Sequence, residues 1–126
     1  MLDRTSARAA HAGIKNITVA QRDVLAEGYG LPDRACDVGL LFNILHGESP
    51  IELLRETARV VRLGGMLAVI HWRSDIATPR GPSAGIRPPP GLIAAWAKTA
   101  GGLSLTDGPF ELAPYHYGLI FTRNSG

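Results

Sequence analysis

Residues 38–42 (Val-Gly-Leu-Leu-Phe) and 66–72 (Met-Leu-Ala-Val-Ile-His-Trp) are short apolar runs without polar alternation. Strands of that kind are buried on both faces, as in a parallel sheet covered by helices. Between them lies the best-signalled helix of the chain. Ser49 at N-cap, Pro50 at N1 and Glu52 at N3 spell a capping box with the preferred proline. Ile51, Leu54, Ala58 and Val61 recur at three and four residues and draw one apolar stripe. Arg55, Arg59 and Arg62 sit off that stripe, the last of them suited to the negative C-terminal end, and Gly64-Gly65 is expected to stop the helix. Strand, helix, strand at these lengths is a βαβ unit, and the fold class is α/β.

The rest of the chain adds reversed strands. Residues 2–12 form a helix closed by Gly13, and residues 17–21 are β-branched and strand-like, followed by Asp23. Residues 78–91 (TPRGPSAGIRPPPG) crowd proline, glycine and arginine into a loop that can hold neither a helix nor a central strand. Residues 91–100 read as a short helix with Leu92, Ala95, Trp96 and Thr99 on its apolar side. Residues 103–105, 110–112 and 116–122 are strand-like. The last strands are joined without a long crossover, which requires antiparallel pairing. The sheet is therefore expected to be mixed, mostly parallel, with one antiparallel strand near the C-terminus.

Length and composition bound the function. With 126 residues there is room for one compact domain, residues 1–126, interrupted by the proline-rich loop. The 45% apolar and 19% charged residues are those of a soluble globular protein. A net charge of +2, with its basic residues scattered, argues against nucleic acid as a partner. The single cysteine, Cys36, permits no intrachain disulfide and fits a reducing cytoplasm. Four histidines spread along the chain offer no metal-ligand spacing, so no metal is expected. No apolar segment is long enough to cross a bilayer, and residues 1–12 lack the core of a signal peptide, so no membrane association is expected and the cytoplasm is the expected location.

The run NITVAQRDVLAEGYGLPDRACDVGLLFNILHG, followed by SPIELLRETARVVRLGGMLAVIHW, resembles the class I S-adenosylmethionine-dependent methyltransferases, and within them the ubiquinone-biosynthesis-like small-molecule group. The matching pieces are Leu31-Pro32, Asp37 before a buried strand, Leu45-His46, and Arg59-Val60-Val61-Arg62-Leu63-Gly64-Gly65, with Leu63 in place of the usual proline. The resemblance implies a Rossmann-like sheet of seven strands ordered 3-2-1-4-5-7-6, the seventh reversed. It implies S-adenosylmethionine as cofactor. Asp23 and the Val24 amide would meet the adenine, and Phe42 and Asn43 would pass the methionine moiety. The family's first two strands, with their glycine-rich turn, would lie before Met1, so a truncated fold and an incomplete cofactor site are expected of this polypeptide alone. The strand at residues 37–42 would then become a bare apolar edge, and a homodimer formed through that edge is expected.

Methyl transfer from a sulfonium is an in-line displacement, so the protein mainly aligns the reactants, and a base helps only when the acceptor arrives protonated. In open α/β sheets the reacting groups collect at the C-terminal ends of strands. His46 is the most economical base, unless it only caps the helix that follows. His116 is a second candidate, flanked by Tyr115 and Tyr117 as an aromatic wall or a surface turn. Trp72 and Arg80 are substrate-binding candidates, with Arg87 beside them in the loop as a clamp for an acidic substrate or a solvated charge. His71 reads as a core residue. The expected function is methylation of a small molecule; a non-catalytic, self-associating or partner-binding descendant is the alternative. A nicotinamide-dependent dehydrogenase is disfavoured because no G-x-G-x-x-G fingerprint is present.

Overall fold

The computed structural model describes residues 2 to 124. Strands β1 (Cys36–Phe42) and β2 (Val61–Trp72) pair in parallel, with Val38 opposite Met66 and Phe42 opposite Ile70. Helix α3 (Pro50–Val60) makes the crossover between them. Strand β4 (His116–Arg123) is antiparallel to β2 on one side and to β3 (Leu103–Leu112) on the other. The order is β1-β2-β4-β3 with a single reversed strand, the mixed α/β sheet expected from the sequence.

One face of the sheet carries the core. Leu54 and Ala58 of α3, with Ile93 and Ala97 of α4 (Pro90–Ala100), close over Leu41, Leu67, Val69, Leu119 and Phe121. Residues two apart on a strand share a face, so the alternate residues point away. There the expectation of burial on both faces fails: Val38, Leu40, Phe42 and Met66 are 44%, 59%, 46% and 46% exposed. The outer edge of β1 has no strand beside it among the described residues.

Residues 17–21 are not a strand. They run as irregular backbone with Ile17 half-exposed, since an extended segment without a hydrogen-bonded neighbour has no ladder to hold it. Helix α1 (Leu2–His11) forms as expected, with residues 3–8 all exposed. A single turn, α2 (Val24–Glu27), follows Asp23.

Three local readings also change. Ser49 is the N-cap of α3, but its hydroxyl makes no capping hydrogen bond. The helix stops at Val60 and β2 begins at once, so Gly64-Gly65 lies inside the strand, where the pairing with β1 is irregular between Cys36 and Val38. Gly64 has φ +78, and a Cβ on Gly65 would stand 2.6 Å from the Asp37 carbonyl oxygen. Gly64 thus supplies a left-handed backbone and Gly65 a close approach, and neither terminates the helix. In α4 the buried side is Ile93 and Ala97, while Leu92 is 41% exposed.

Candidate functional site

The C-terminal ends of β1 and β2 lie side by side, and three polar side chains gather there. Asn43, the residue after β1, has φ +58 and donates its backbone N–H to the Ile70 carbonyl at 2.7 Å. Asparagine tolerates that left-handed geometry better than most residues. Its side-chain Oδ1 is buried and, among the described residues, has no hydrogen-bond partner. Leu45, fully buried, pins the loop and presents His46. His46 Nδ1 lies 3.2 Å from Nε2 of His71, which is fully buried in β2. The other nitrogen of His71, Nδ1, is 3.2 Å from the Trp72 carbonyl oxygen. His71 is thus a core residue, as expected, with both nitrogens engaged. Burial pushes its pKa down, the Trp72 carbonyl works in the opposite direction, and the neighbouring His46, Arg87 and His116 add to the depression.

Beside this cluster stands an aromatic stack. The Trp72 ring lies 4.2 Å from that of His116 and 6.4 Å from that of Tyr115, and the Arg87 guanidinium sits 5.4 Å from the Trp72 ring centroid. Tyr117 is buried, with its hydroxyl donating to the Pro88 carbonyl at 2.6 Å, and burial raises its pKa. His116 is held below the usual imidazole range by burial and then by the Arg87 charge. A cavity of about 380 Å³ opens here, lined among others by Arg73, Asp75, Pro89, Phe110, His116 and Tyr117. That size suits a small molecule. Arg73 grips both carboxylate oxygens of Asp75 at 2.9 Å and approaches Glu111 at 3.7 Å, and the guanidinium lowers the Asp75 pKa.

Arg87 is only 7% exposed. It donates to the carbonyls of Pro82 (2.7 Å), Arg73 (3.0 Å) and Arg80 (3.2 Å) and to the Thr78 hydroxyl (2.7 Å). These bonds spend its donors on the proline-rich loop, so the guanidinium is a staple that folds the loop over Trp72. Gly81 (φ +100) packs so tightly there that a Cβ would come within 2.9 Å of the indole. Arg80 itself is exposed, and it is its carbonyl that joins this network.

Structure thus brings together Asn43, His46, His71, Trp72, Tyr115, His116 and Tyr117. Phe42 ends β1 with its ring on the open face. Asp23 is exposed; its Oδ1 accepts from the Ala26 N–H at 3.3 Å as the cap of α2, which begins at Val24. The turn after α2 is tied to the second half of α3, Tyr29 N–H to Glu56 at 2.9 Å and Tyr29 hydroxyl to Thr57 at 2.8 Å. That is about 10 Å along the helix from the end of α3 nearest His46. No hydrogen bond joins Asp23 or Val24 to the Asn43 cluster among the described residues. Neither does any group of His, Cys, Asp and Glu there suit a metal ion, and no helix is long and apolar enough to cross a membrane.

The sequence reading missed the His46–His71 contact and the Arg73–Asp75 pair. The first was legible in principle: in a βαβ unit the residues just beyond one strand meet the last residues of its parallel neighbour.

No protein-family model and no curated protein matches the sequence. Solved structures do. An S-adenosylmethionine-dependent methyltransferase from Aquifex aeolicus superposes with a TM-score of 0.82 at 21% identity, over 97% of this chain and 63% of that one. The cyclase SpnF matches with 0.77 at 16% identity, over 99% and 63%. A Mesorhizobium loti S-adenosylmethionine-dependent methyltransferase matches with 0.64 at 15% identity, over 97% and 77%. The chain therefore spans about 63% of the length of the first two. At such identities the likeness is one of fold, and this chain has the α/β, Rossmann-like fold found in S-adenosylmethionine-dependent methyltransferases.

Proposed function

We propose that this chain is a methyltransferase domain that uses S-adenosylmethionine to methylate a small molecule, as in the ubiquinone-biosynthesis-like group. The observation that carries this reading is the orphaned Asn43 Oδ1, buried at the end of β1 in a fold shared with enzymes named for that cofactor. A buried amide oxygen without a donor costs about 1–3 kcal/mol, and the cofactor's ammonium group is a donor that would relieve it. Asn43 and Phe42 would then line the methionine moiety. Asp23 and Val24 are the adenine contacts in this reading, with the turn after α2 held beside the second half of α3.

When bound, the cofactor supplies an electrophilic methyl group on sulfur. The chain's own residues would hold the acceptor and take its proton. His46 serves as base from its place against His71, and His116, which lines the 380 Å³ cavity, is a second titratable ring. Trp72, Tyr115 and Tyr117 form the apolar wall, and Arg80 meets acidic substituents from the loop. SpnF, a cyclase with the same fold, is a reminder that fold alone does not fix a reaction. The reading rests on the site instead.

We further propose a homodimer. The free edge of β1 repeats its own hydrogen-bonding pattern under a two-fold axis, and Val38, Leu40, Phe42 and Met66 beside it are apolar and exposed. A second copy of this edge matches both features at once.

Titration calorimetry with S-adenosylmethionine tests the function. Measurable binding is expected, weaker than a site with the glycine-rich turn would give. Asn43→Ala should weaken it about a further tenfold, from loss of a charge-assisted hydrogen bond. No heat at millimolar cofactor would overturn the proposal.

A further inference from the structure

The His46–His71 pair carries more than proximity, because its outer end fixes which nitrogen of each ring bears a proton. A carbonyl oxygen can only accept, so the 3.2 Å contact between His71 Nδ1 and the Trp72 carbonyl requires a proton on Nδ1. Burial disfavours the charged ring, and Arg87, His116 and His46 push the same way. Above the ordinary imidazole range His71 is therefore neutral, and its Nε2 has a lone pair and no hydrogen. Across the 3.2 Å contact to His46, Nε2 must accept, and His46 Nδ1 must donate. A neutral His46 that donates from Nδ1 has its lone pair on Nε2. Among the described residues Nε2 has no hydrogen-bond partner, and the side chain is part-exposed.

We infer that His71 is a positioning residue: it holds His46 in the Nδ1–H tautomer and so presents His46 Nε2 to the site as a proton acceptor. The catalytic consequence rests on the methyltransferase reading; the tautomer does not. In that reaction the acceptor's X–H bond breaks, its proton passes to His46 Nε2, and the electron pair left on X forms the X–C bond while the donor's C–S electrons return to sulfur. The site is accordingly built for acceptors that arrive protonated, hydroxyls or ammonium groups, because an acceptor that arrives as an anion needs no such lone pair. A free imidazole in water favours the opposite tautomer, Nε2–H, so the arrangement is a departure that something must enforce.

Long-range ¹H–¹⁵N NMR of the ¹⁵N-labelled chain reads this directly, at about pH 8, where an ordinary imidazole is neutral. The expected result is His46 with Nδ1 protonated and Nε2 bare. In His71→Phe the acceptor is gone, and His46 should revert to the Nε2–H form. In His71→Gln the amide Oε1 stands near the lost Nε2 and can accept, so the Nδ1–H form should return. Amide dispersion in the same spectra shows whether each variant is folded; if His71→Phe is not, the wild-type and His71→Gln spectra decide. A wild-type His46 protonated on Nε2, or a tautomer unchanged in a folded His71→Phe, would overturn the inference. Calorimetry with the cofactor is a separate readout, so a chain that binds no S-adenosylmethionine but shows the Nδ1–H form sinks the enzyme and leaves the positioning role standing.

Discussion

Histidine is the residue through which this structure couples to pH. His71 and His116 both have pKa values held below the ordinary imidazole range, by burial first and by the Arg87 charge among the further causes. As pH falls, the unfolded chain takes up these protons before the folded one does, so stability rises with pH in that window. It is complete above about pH 6.5 and declines below it. Urea midpoints measured from pH 8 down to pH 5 should fall, and His71→Gln should flatten the slope without abolishing it, because His116 still contributes. Glu56 acts elsewhere. Held at about 2, with its hydrogen bond from Arg59 as the leading cause, it loses its contribution only as pH drops below the normal carboxylate range. A midpoint that is flat, or rises, from pH 6.5 to 5 would remove the account of buried neutral histidines. Arg87 makes a contrast: its charge is compensated by three carbonyls and an indole face rather than by a carboxylate, which is why it fixes a loop and is poorly placed to clamp an anion.

Among the elements, β2 shows how a motif can be read correctly and placed wrongly. The Gly64-Gly65 pair looks like a helix stop because glycine so often follows a helix. In the structure the pair lies within β2, where Gly65 lets the Asp37 backbone and the Val61 side chain come close. Alanine at Gly65 would press its methyl against a carbonyl 2.6 Å away, with Val61 at 2.7 Å. Gly65→Ala should therefore cost about 1–3 kcal/mol in chemical denaturation; a loss below the error of the measurement would mean that this approach is looser than drawn. The same distinction governs what was legible. The parallel β1–β2 pair, the crossover helix, the reversed strand and the crowding of Asn43, His46, Trp72 and Tyr117 at one end all follow from apolar runs and connection lengths. The missed features depend on partners. Residues 17–21 have strand composition but no neighbouring strand to hydrogen-bond. Val38-Gly-Leu-Leu-Phe42 has the pattern of a doubly buried strand, yet two helices cover only one of its faces. The buried side of α4 turned on which face met Phe121 and Leu119, which its own spacing does not reveal.

At the scale of the molecule, the unbalanced layering is the main physical problem. A two-layer α/β arrangement hides one sheet face, and here the other presents Val38, Leu40, Phe42 and Met66 to water along a strand with a free edge. Exposed apolar side chains clustered in this way fit the proposed dimer interface. Pairing β1 with its copy would satisfy the outer backbone groups and set the two apolar strips side by side. Sedimentation at micromolar concentration should give twice the chain mass. Leu40 is the residue to alter, because at 59% exposure it contributes little to the packing of the isolated chain. Leu40→Lys should leave the unfolding free energy of the monomer within about 0.5 kcal/mol of the original. It should also weaken association at least about tenfold, as a charge beside the two-fold axis faces its own copy. A wild-type chain that sediments as a monomer would refute the dimer. One that dimerises equally well with lysine at position 40 would move the interface off the β1 edge.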